Sequence, residues 1–453
     1  MMRAINPATG EVIHEYAEHD GGAVDRLLVQ AKGAFAVWRG TVMGDRSALM
    51  RRVAAVLRGR KGELAELMTR EMGKPIVSAE GEVEKCAMNC DFYAQHAAEF
   101  LAAEQIGSDA DSSYVRYDPL GPVFAIMPWN FPLWQVFRFA APALMAGNVA
   151  VVKHASNVPG TALAIEQVFS QAGFPTGCFT TLLVSSIEVE RIIAHPAIAA
   201  VTLTGSEPAG IAVATAAGKN LKKAVLELGG SDPFIVLPDA NVEVTAKAAA
   251  GARCMNSGQS CIAAKRFIIV EPGNGFEHAF RQAMSRLKTG DPMQRDTDVG
   301  PLAREDLVDI LQDQVNRSVA AGAKLLLGGE RLSGRGCYYP PTVLSDVRPG
   351  MAVFDEETFG PVAAVIRAAS VDHAIELANL SPYGLGASVW TRDTKRAEEI
   401  AARIDAGQVF INGIVKSDPR LPFGGIKRSG YGRELSAVGI REFTNMKTVW
   451  VRK

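Results

Sequence analysis

The chain of 453 residues carries 48 Lys and Arg against 49 Asp and Glu, and 48% of its residues are hydrophobic. This composition can fill several hydrophobic cores and excludes a disordered or fibrous protein, and the length suggests about three structural units, or two with additions. The net charge of −1 excludes a global electrostatic field that would attract nucleic acid or an anionic membrane. Six cysteines are too few for a disulfide framework, and no stretch reaches the roughly 18 apolar residues of a membrane span, so we expect a reducing, cytoplasmic setting.

The first hundred residues are predicted to be mainly helical, with apolar residues at three- and four-residue spacings in 25–38, 45–58 and 77–104. From residue 121 onwards, short apolar runs alternate with helical stretches. Strands are predicted at 123–127, 149–153, 179–184, 199–204 and 224–228, and helices at 132–146, 159–171, 187–194 and 208–217. This alternation predicts βαβ units around a parallel sheet, which binds ligands at the carboxyl ends of its strands.

A second α/β series follows Gly230. It includes a strand at 233–237, a helix at 242–255, a strand at 265–270 and further strands ending with 408–412. Two flanking segments, 113–117 and 445–451, alternate polar and apolar residues as surface strands do. They are either ordinary surface strands or a projecting strand pair, which would need a partner to cover its edge. The second possibility indicates oligomerisation.

Cys261 is the candidate nucleophile, because it follows a Gly-bearing turn at 256–258 that ends a predicted helix. Free backbone N–H groups and the local helix dipole are expected to favour its thiolate. The alternative is a small buried hydrophobic residue. The other cysteines lack this setting and are interpreted as structural. Cys86 and Cys90 lie one helical turn apart without a nearby His at ligand spacing, so no metal is predicted.

Polar residues follow three of the predicted strands. Glu227 ends an apolar strand, where desolvation would raise its pKa and suit it to general-base work; the alternative is a capping or salt-bridged Glu. The segment 204–206, Thr-Gly-Ser, opens a helix whose N-terminus could bind phosphate, although no full G-x-G-x-x-G fingerprint is present. Asn130, held between two prolines, could donate to an oxyanion or serve only the turn.

Taken together, these segments resemble the NAD(P)-dependent aldehyde dehydrogenase superfamily over nearly the whole chain. Seven co-linear motifs carry the resemblance: PWNFP at 128–132, VVK at 151–153, TGS at 204–206, ELGG at 227–230, GQSC at 258–261, EETFGP at 356–361 and PFGGIKRSGYGRE at 422–434. The resemblance implies an α/β fold with a Rossmann-type parallel-sheet NAD(P)-binding domain over 1–106 and 121–229, and an α/β catalytic domain over 230–438. It also implies a β-strand oligomerisation arm over 107–120 and 439–453, which would build a homodimer or homotetramer.

The resemblance implies a role for each matching residue. Cys261 would attack the aldehyde to form a thiohemiacetal, hydride transfer to the nicotinamide would leave a thioester, and Glu227 would activate the water that hydrolyses it. Asn130 and the backbone N–H of Cys261 would form the oxyanion hole. The implied cofactor-binding residues are Trp129, Lys153, Ser156, Gly205, Ser206, Leu228, Glu357 and Phe359.

The residue three positions after Lys153 bears on the choice of cofactor. NAD-preferring members often carry a carboxylate there, which holds the ribose 2′-hydroxyl. Here the residue is Ser156, which removes the repulsion against a 2′-phosphate. The cofactor is therefore predicted to be NAD or NADP. His154 replaces the family's frequent Pro in the same loop.

Arg138 and Ser417 match the arginine and serine with which succinate-semialdehyde dehydrogenases bind the substrate carboxylate. A cation facing an apolar entrance is costly without an anionic partner, and a guanidinium suits a carboxylate bidentately. The alternative for Arg138 is a surface salt bridge. A second arginine of such enzymes is Met255 here, and a frequent lysine is Phe139.

Strings such as that at 225–234 look most like the short bacterial, or Sad-type, succinate-semialdehyde dehydrogenases. The chain is therefore predicted to oxidise succinate semialdehyde to succinate with NAD(P)⁺. Its partner would be a small aldehyde that carries a carboxylate, with no nucleic acid or membrane involved. The alternatives are another aldehyde, such as glutarate semialdehyde or an aromatic aldehyde, or a non-catalytic protein on the same fold.

Overall fold

A computed structural model describes residues 1–453 of the chain. It begins with a hairpin and four helices: β1 (Met2–Ile5), β2 (Val12–Tyr16), α1 (Gly21–Trp38), α2 (Met43–Gly59), α3 (Lys61–Met72) and α4 (Ile76–Phe100). Helix α1 begins after Asp20, whose side chain accepts a hydrogen bond from the Ala23 N–H. Helix α4 ends four residues before the predicted 104, because Glu104 and Gln105 pair with a neighbouring strand instead.

The next elements form a strand pair and most of a six-stranded sheet. They are β3 (Glu104–Gln105), β4 (Ser112–Pro119), β5 (Pro122–Met127), α5 (Trp134–Met145), β6 (Val149–His154), α6 (Pro159–Gln171), β7 (Phe179–Thr181), α7 (Val189–Ala194), β8 (Ala200–Thr204), α8 (Glu207–Lys219) and β9 (Lys223–Glu227). Strands β5 to β9 are parallel in the order β9-β8-β5-β6-β7. The order reverses between β5 and β8, so the crevice beyond their carboxyl ends is the switch point at which such sheets bind ligands.

The second half of the chain builds a seven-stranded sheet. Its elements and those that follow are β10 (Pro233–Val236), α9 (Val242–Cys254), β11 (Arg266–Val270), α10 (Phe276–Ser285), α11 (Glu305–Ala320), β12 (Lys324–Leu327), β13 (Thr342–Ser345), α12 (Ala352–Asp355), β14 (Val362–Ala368), α13 (Val371–Asn379), β15 (Tyr383–Gly384), β16 (Gly386–Trp390), α14 (Thr394–Ala401), β17 (Gln408–Ile411), β18 (Ile426–Lys427), β19 (Gly430–Tyr431), α15 (Ser436–Arg441) and β20 (Thr444–Val451). The sheet order is β12-β13-β14-β11-β10-β16-β17, parallel except for β12.

Both sheets are buried on two faces. In β10, Phe234 and Val236 belong to a core of 19 buried residues, whereas Ile235 belongs to a separate core of 29. Alternate residues of a strand point to opposite faces, so these two cores cover the two sides of the seven-stranded sheet. A third core of 68 buried residues surrounds the six-stranded sheet. The predicted α/β architecture with parallel sheets is confirmed.

A three-stranded sheet stands apart from the two large ones. Strand β20 pairs antiparallel with β4 along its whole length, and β4 pairs with β3. Met446, Trp450 and Val451 are exposed apolar residues of β20. That these strands form an oligomerisation arm, and that the two halves are separate cofactor and catalytic domains, stays a prediction. No helix combines the length and the apolar character that crossing a bilayer requires.

Candidate active site

A cavity of about 370 Å³ lies where the switch point of the six-stranded sheet meets the turn after α9. The predicted site residues that line it are Trp129, Asn130, Gly205, Ser206, Leu228, Cys261, Glu357 and Phe359. The predicted residues outside its lining are Glu227, Lys153, Ser156, Arg138 and Ser417. The structure therefore brings the nucleophile, one oxyanion donor and part of the cofactor site into one cavity.

The turn after α9 is tightly wound and aims Cys261 into the cavity. Asn256, Ser257 and Gly258 all adopt left-handed backbone conformations, with φ of 52°, 57° and 78°. A side chain at Gly258 would lie 2.3 Å from the backbone of Gly360, so only glycine fits there. The Cys261 N–H donates no hydrogen bond within the protein. It is therefore free to bind an oxyanion.

The Cys261 thiol is protonated in the ligand-free protein. Burial raises its pKa to about 12, and the positive charges of Arg138 and Lys265 offset this only in part. The expectation that the turn favours a thiolate is therefore wrong for this state, because desolvation outweighs the free N–H groups. Lys265 also fixes the turn, since its amino group donates to the carbonyl of Cys261 at 2.9 Å and to that of Ser260 at 3.1 Å.

Asn130 is held beside this turn at the end of β5. Its side-chain amide donates to the Gln259 carbonyl at 3.1 Å, and its own backbone carbonyl accepts from the Asn256 side chain at 2.6 Å. An amide nitrogen carries two hydrogens, so one N–H remains for a ligand in the cavity. Asn130 and the Cys261 N–H are thus two donors fixed beside one sulfur, which is the arrangement of an oxyanion hole.

Glu227 ends β9 and is almost fully buried. Neither carboxylate oxygen accepts a hydrogen bond. Burial raises its pKa well above the ordinary value, Arg138 lowers it, and the neighbouring Glu434 raises it further. A side chain at Gly424 would approach the Glu227 carboxylate to 2.6 Å, so glycine in the PFGG segment leaves this carboxylate room. An unpartnered buried carboxylate has the properties of a general base.

Arg138 lies on α5 and is ion-paired within the protein. Its guanidinium contacts the Glu434 carboxylate, donates to the Thr204 hydroxyl at 3.2 Å and lies 4.7 Å from the Phe423 ring centre. Arg138 thus forms a salt bridge, as the alternative interpretation expected, and its role in binding the substrate carboxylate stays a prediction. Glu434 supplies the anionic partner from a segment distant in sequence, and both side chains are buried rather than at the surface.

Ser417 is buried, and its hydroxyl accepts a hydrogen bond from the Lys85 amino group at 2.7 Å. Lys85 belongs to α4, and sequence reasoning missed it. A signal was available: Asn89, one helical turn further along α4, is fully buried and donates to the carbonyl of Phe137 on α5. Lys85 therefore shares a stripe of α4 that faces α5, where an unpaired lysine is unusual.

The cofactor side of the cavity consists of a helix end and a carboxylate. Ser206 precedes α8 without capping it, so the N–H groups of Glu207 and Ala209 stay available for a phosphate, whereas Pro208 between them has none. The Glu357 carboxylate accepts from the Gly230 N–H at 3.0 Å and lies 3.5 Å from the Lys265 amino group. Phe359 meets Trp129 edge to face at 5.7 Å between ring centres.

His154, at the end of β6, is hydrogen-bonded to the loop that carries Asn130. Its Nδ1 accepts from the Ala155 N–H at 2.9 Å, so Nε2 carries the proton that it donates to the Pro132 carbonyl at 2.8 Å. Burial lowers its pKa to about 4, which keeps the ring neutral. Lys153 is buried beside it, donating to the His154 carbonyl, and Ser156 is exposed. His154 thus fixes the loop that lacks the family's proline.

All six cysteines are free thiols. Burial raises the pKa of Cys90 well above its ordinary value and that of Cys254 to about 12, which makes both thiols unreactive. No group of three or more His, Cys, Asp or Glu side chains is placed to hold a metal ion.

Comparisons with known proteins agree on one family. The model of the aldehyde dehydrogenase family matches residues 1–449. The chain is 51% identical to the "Succinate-semialdehyde dehydrogenase [NADP(+)]" of Mycolicibacterium paratuberculosis, over 99% of this chain and 96% of that protein. It is also 51% identical to the "Probable succinate-semialdehyde dehydrogenase [NADP(+)]" of Synechocystis sp., over 99% of each. The crystal structure of succinic semialdehyde dehydrogenase from Streptococcus pyogenes in complex with NADP⁺ superposes with a TM-score of 0.98 at 37% identity, covering 100% of both chains.

Proposed function

The chain belongs to the aldehyde dehydrogenase family, and from this premise we propose that it oxidises succinate semialdehyde to succinate with NADP⁺ as the preferred hydride acceptor. The observation that carries the catalytic part is that Cys261, whose N–H donates no hydrogen bond, and Asn130, whose side-chain amide keeps one N–H free, line the same cavity. The succinate-semialdehyde dehydrogenases that are 51% identical over the whole chain support the substrate.

The reaction begins when the Cys261 thiol loses its proton to solvent and the thiolate sulfur adds to the aldehyde carbon. The carbonyl oxygen becomes an oxyanion, which the Asn130 side chain and the Cys261 N–H stabilise by hydrogen bonds. Bound NADP⁺ would supply the hydride acceptor that the conversion of the Cys261 thiohemiacetal into a thioester requires. Glu227, in its carboxylate form, then takes a proton from the water that hydrolyses the thioester, and burial strengthens it as a base because burial raises its pKa.

The residues of the cofactor edge fit a phosphorylated dinucleotide. The open N-terminus of α8 after Ser206 suits the pyrophosphate, and Glu357 suits a ribose hydroxyl. Ser156 is exposed and neutral at the position where a carboxylate would repel a 2′-phosphate. Lys153, which directly precedes His154 in β6, would supply a positive charge near the adenosine ribose. NADP⁺ is therefore favoured over NAD⁺.

Recognition of the substrate carboxylate is assigned to Ser417 and Arg138. The Ser417 hydroxyl is buried and already bound to a lysine amino group. Arg138 provides a guanidinium group from α5, although its ion pair with Glu434 neutralises much of the charge. Within the proposal, Arg138 places a positive field near the reacting groups, since it acts on both Cys261 and Glu227.

Trapping of the covalent intermediate tests the proposal. The Glu227→Gln variant is expected to form about one NADPH per active site in a rapid burst with succinate semialdehyde, and then to turn over slowly. Intact-protein mass spectrometry should show one added succinyl group, and peptide mapping should locate it on Cys261. Cys178→Ala, which removes a buried cysteine away from the cavity, serves as the control and should behave as the wild type. A Cys261→Ala variant that still formed NADPH would refute the mechanism.

We also propose a homo-oligomer, a homodimer or homotetramer, built through β4 and β20, and a cytoplasmic location. The exposed apolar residues Met446, Trp450 and Val451 on the outlying sheet support the interface, and six unpaired cysteines support a reducing compartment. The proposed domains are residues 1–106 and 121–229 for the cofactor and 230–438 for catalysis, with 107–120 and 439–453 as the arm.

A further inference from the structure

Lys85 is a partly buried cation that the proposed reaction does not use. Its amino group donates to the Ser417 hydroxyl at 2.7 Å and lies 4.0 Å from the centre of the Trp134 ring. No carboxylate lies within ion-pair distance of it; the nearest negative influence comes from Glu82, which is itself ion-paired with Lys74. Lys85 thus keeps a formal charge that no protein anion neutralises.

Lys85 lies beside the face of α5 that carries Arg138. Trp134 and Arg138 lie one turn apart on α5, and therefore share a face of that helix. Lys85 contacts this face at Trp134, while Phe423 contacts it at Arg138. Ser417 and Phe423 belong to one loop after β17, so this loop reaches both Lys85 and Arg138.

Arg138 and Lys85 differ in the groups that neutralise their charges. Arg138 is ion-paired with Glu434 and also donates to Thr204. Lys85 has only a hydroxyl and an aromatic face, which stabilise an ammonium group less than a carboxylate does. Burial lowers the pKa of Lys85 to about 8, and the positive charge of Arg138 lowers it further. A bound anion between Lys85 and Arg138 would offset both the desolvation of the Lys85 ammonium group and its repulsion by Arg138.

We propose that Lys85, with Ser417 as its hydrogen-bonding partner, binds the carboxylate of the substrate and so sets the preference for aldehydes that carry a terminal carboxylate. This inference rests on the proposed function and adds a third residue to Ser417 and Arg138. Lys85 contributes a charge that no protein carboxylate neutralises, whereas the charge of Arg138 is shared with Glu434.

The test compares variants on a charged and an uncharged aldehyde of equal length, succinate semialdehyde and butanal. Lys85→Met removes the charge and keeps much of the side-chain length, Lys85→Arg keeps the charge, and Lys32→Met removes a charge from the exposed face of α1 as a control. For Lys85→Met we expect KM for succinate semialdehyde to rise by about 10- to 150-fold, with kcat for butanal unchanged. Lys85→Arg should recover most of the loss, and Lys32→Met should match the wild type.

A binding measurement separates substrate contact from a structural role. Succinate should inhibit the wild type competitively against succinate semialdehyde, and its inhibition constant should rise in Lys85→Met by the same factor as KM. If Lys85→Met does not fold, Lys85→Gln replaces it in both measurements. Equal losses on both aldehydes, or an unchanged inhibition constant, would overturn the role of Lys85 while leaving the proposed function intact. A wild-type enzyme that oxidises butanal as well as succinate semialdehyde would instead overturn the proposed function.

Discussion

At the scale of single residues, Cys261 shows how burial and reactivity compete. The turn that frees its N–H group for an oxyanion also encloses its sulfur, which raises the pKa of the thiol to about 12. In the ligand-free protein the proposed nucleophile is therefore a thiol at neutral pH, and the proposed reaction requires that it lose its proton. Protonation protects a cysteine from oxidation and alkylation, because these reactions need the thiolate.

The protonated state of Cys261 has a measurable consequence. In the ligand-free enzyme, we expect the rate of alkylation by iodoacetamide to rise about tenfold per pH unit between pH 7 and pH 10 without levelling off, since the thiolate fraction grows until the pH passes the pKa. Loss of activity against time at each pH measures this rate. A plateau near pH 8 would show that the thiol ionises far more easily than its burial implies.

The ion pair of Arg138 with Glu434 makes a second residue-scale prediction. Arg138→Leu should lower the free energy of unfolding by about 3–5 kcal/mol, because it leaves Glu434 buried without a partner. The double variant Arg138→Leu/Glu434→Leu should recover most of that loss. Denaturant unfolding of the three proteins measures both effects. If the single and double variants were equally destabilised, the cost would come from lost packing rather than from an unpaired charge.

At the scale of elements, the turn after α9 fixes where the chemistry occurs. Gly258→Ala should lower kcat by about 100-fold or more, because a side chain there collides with Gly360 and displaces Cys261. Gly251→Ala is the matched control, since this glycine lies inside α9 with open space around it. It should keep full activity and gain up to about 1 kcal/mol of stability. An active Gly258→Ala enzyme would contradict the tight fit of the turn.

His154 makes the loop after β6 sensitive to pH. Its folded-state pKa of about 4 lies below the ordinary 6.5, so its neutral form stabilises the fold above pH 6.5, and this contribution is lost as the pH falls towards 4. Between pH 7.5 and pH 5, the wild type should lose about 2 kcal/mol more unfolding free energy than His154→Asn. The contributions of the other titrating groups to the unfolding free energy are the same in both proteins and cancel in that difference. Equal losses in the two proteins would mean that His154 is not held neutral.

Elements of the fold were predictable to differing degrees. The strands over 123–127 and 149–153 were found because buried parallel strands are continuous apolar runs, and Glu227 and Asn130 follow from their places at strand ends. The pairing of Glu434 with Arg138 was not predictable, since no local pattern encodes a contact between distant segments. For Lys85, the helical spacing to Asn89 indicated a place facing α5, but its contact with Ser417, which lies far away in the sequence, was not predictable.

At the scale of the whole molecule, the active site forms because two sheets meet. The six-stranded sheet contributes Asn130, Glu227 and the helix end at Ser206, and the seven-stranded half contributes Cys261 and Glu357. Neither half holds a complete set of reacting groups. The motifs predicted which residues matter, whereas the relative placement of the halves decides that an oxyanion hole faces a nucleophile.

The central claim is that the protein is an aldehyde dehydrogenase selective for succinate semialdehyde and NADP⁺. The most direct test measures initial rates of reduced-cofactor formation, with NADP⁺ and with NAD⁺. The aldehydes to compare are succinate semialdehyde, glutarate semialdehyde, butanal and benzaldehyde. We expect kcat/KM to be highest for succinate semialdehyde with NADP⁺, exceeding that for butanal by at least about 10-fold, the value of one charge-assisted contact. A value for butanal or benzaldehyde that equals or exceeds it would contradict the claim.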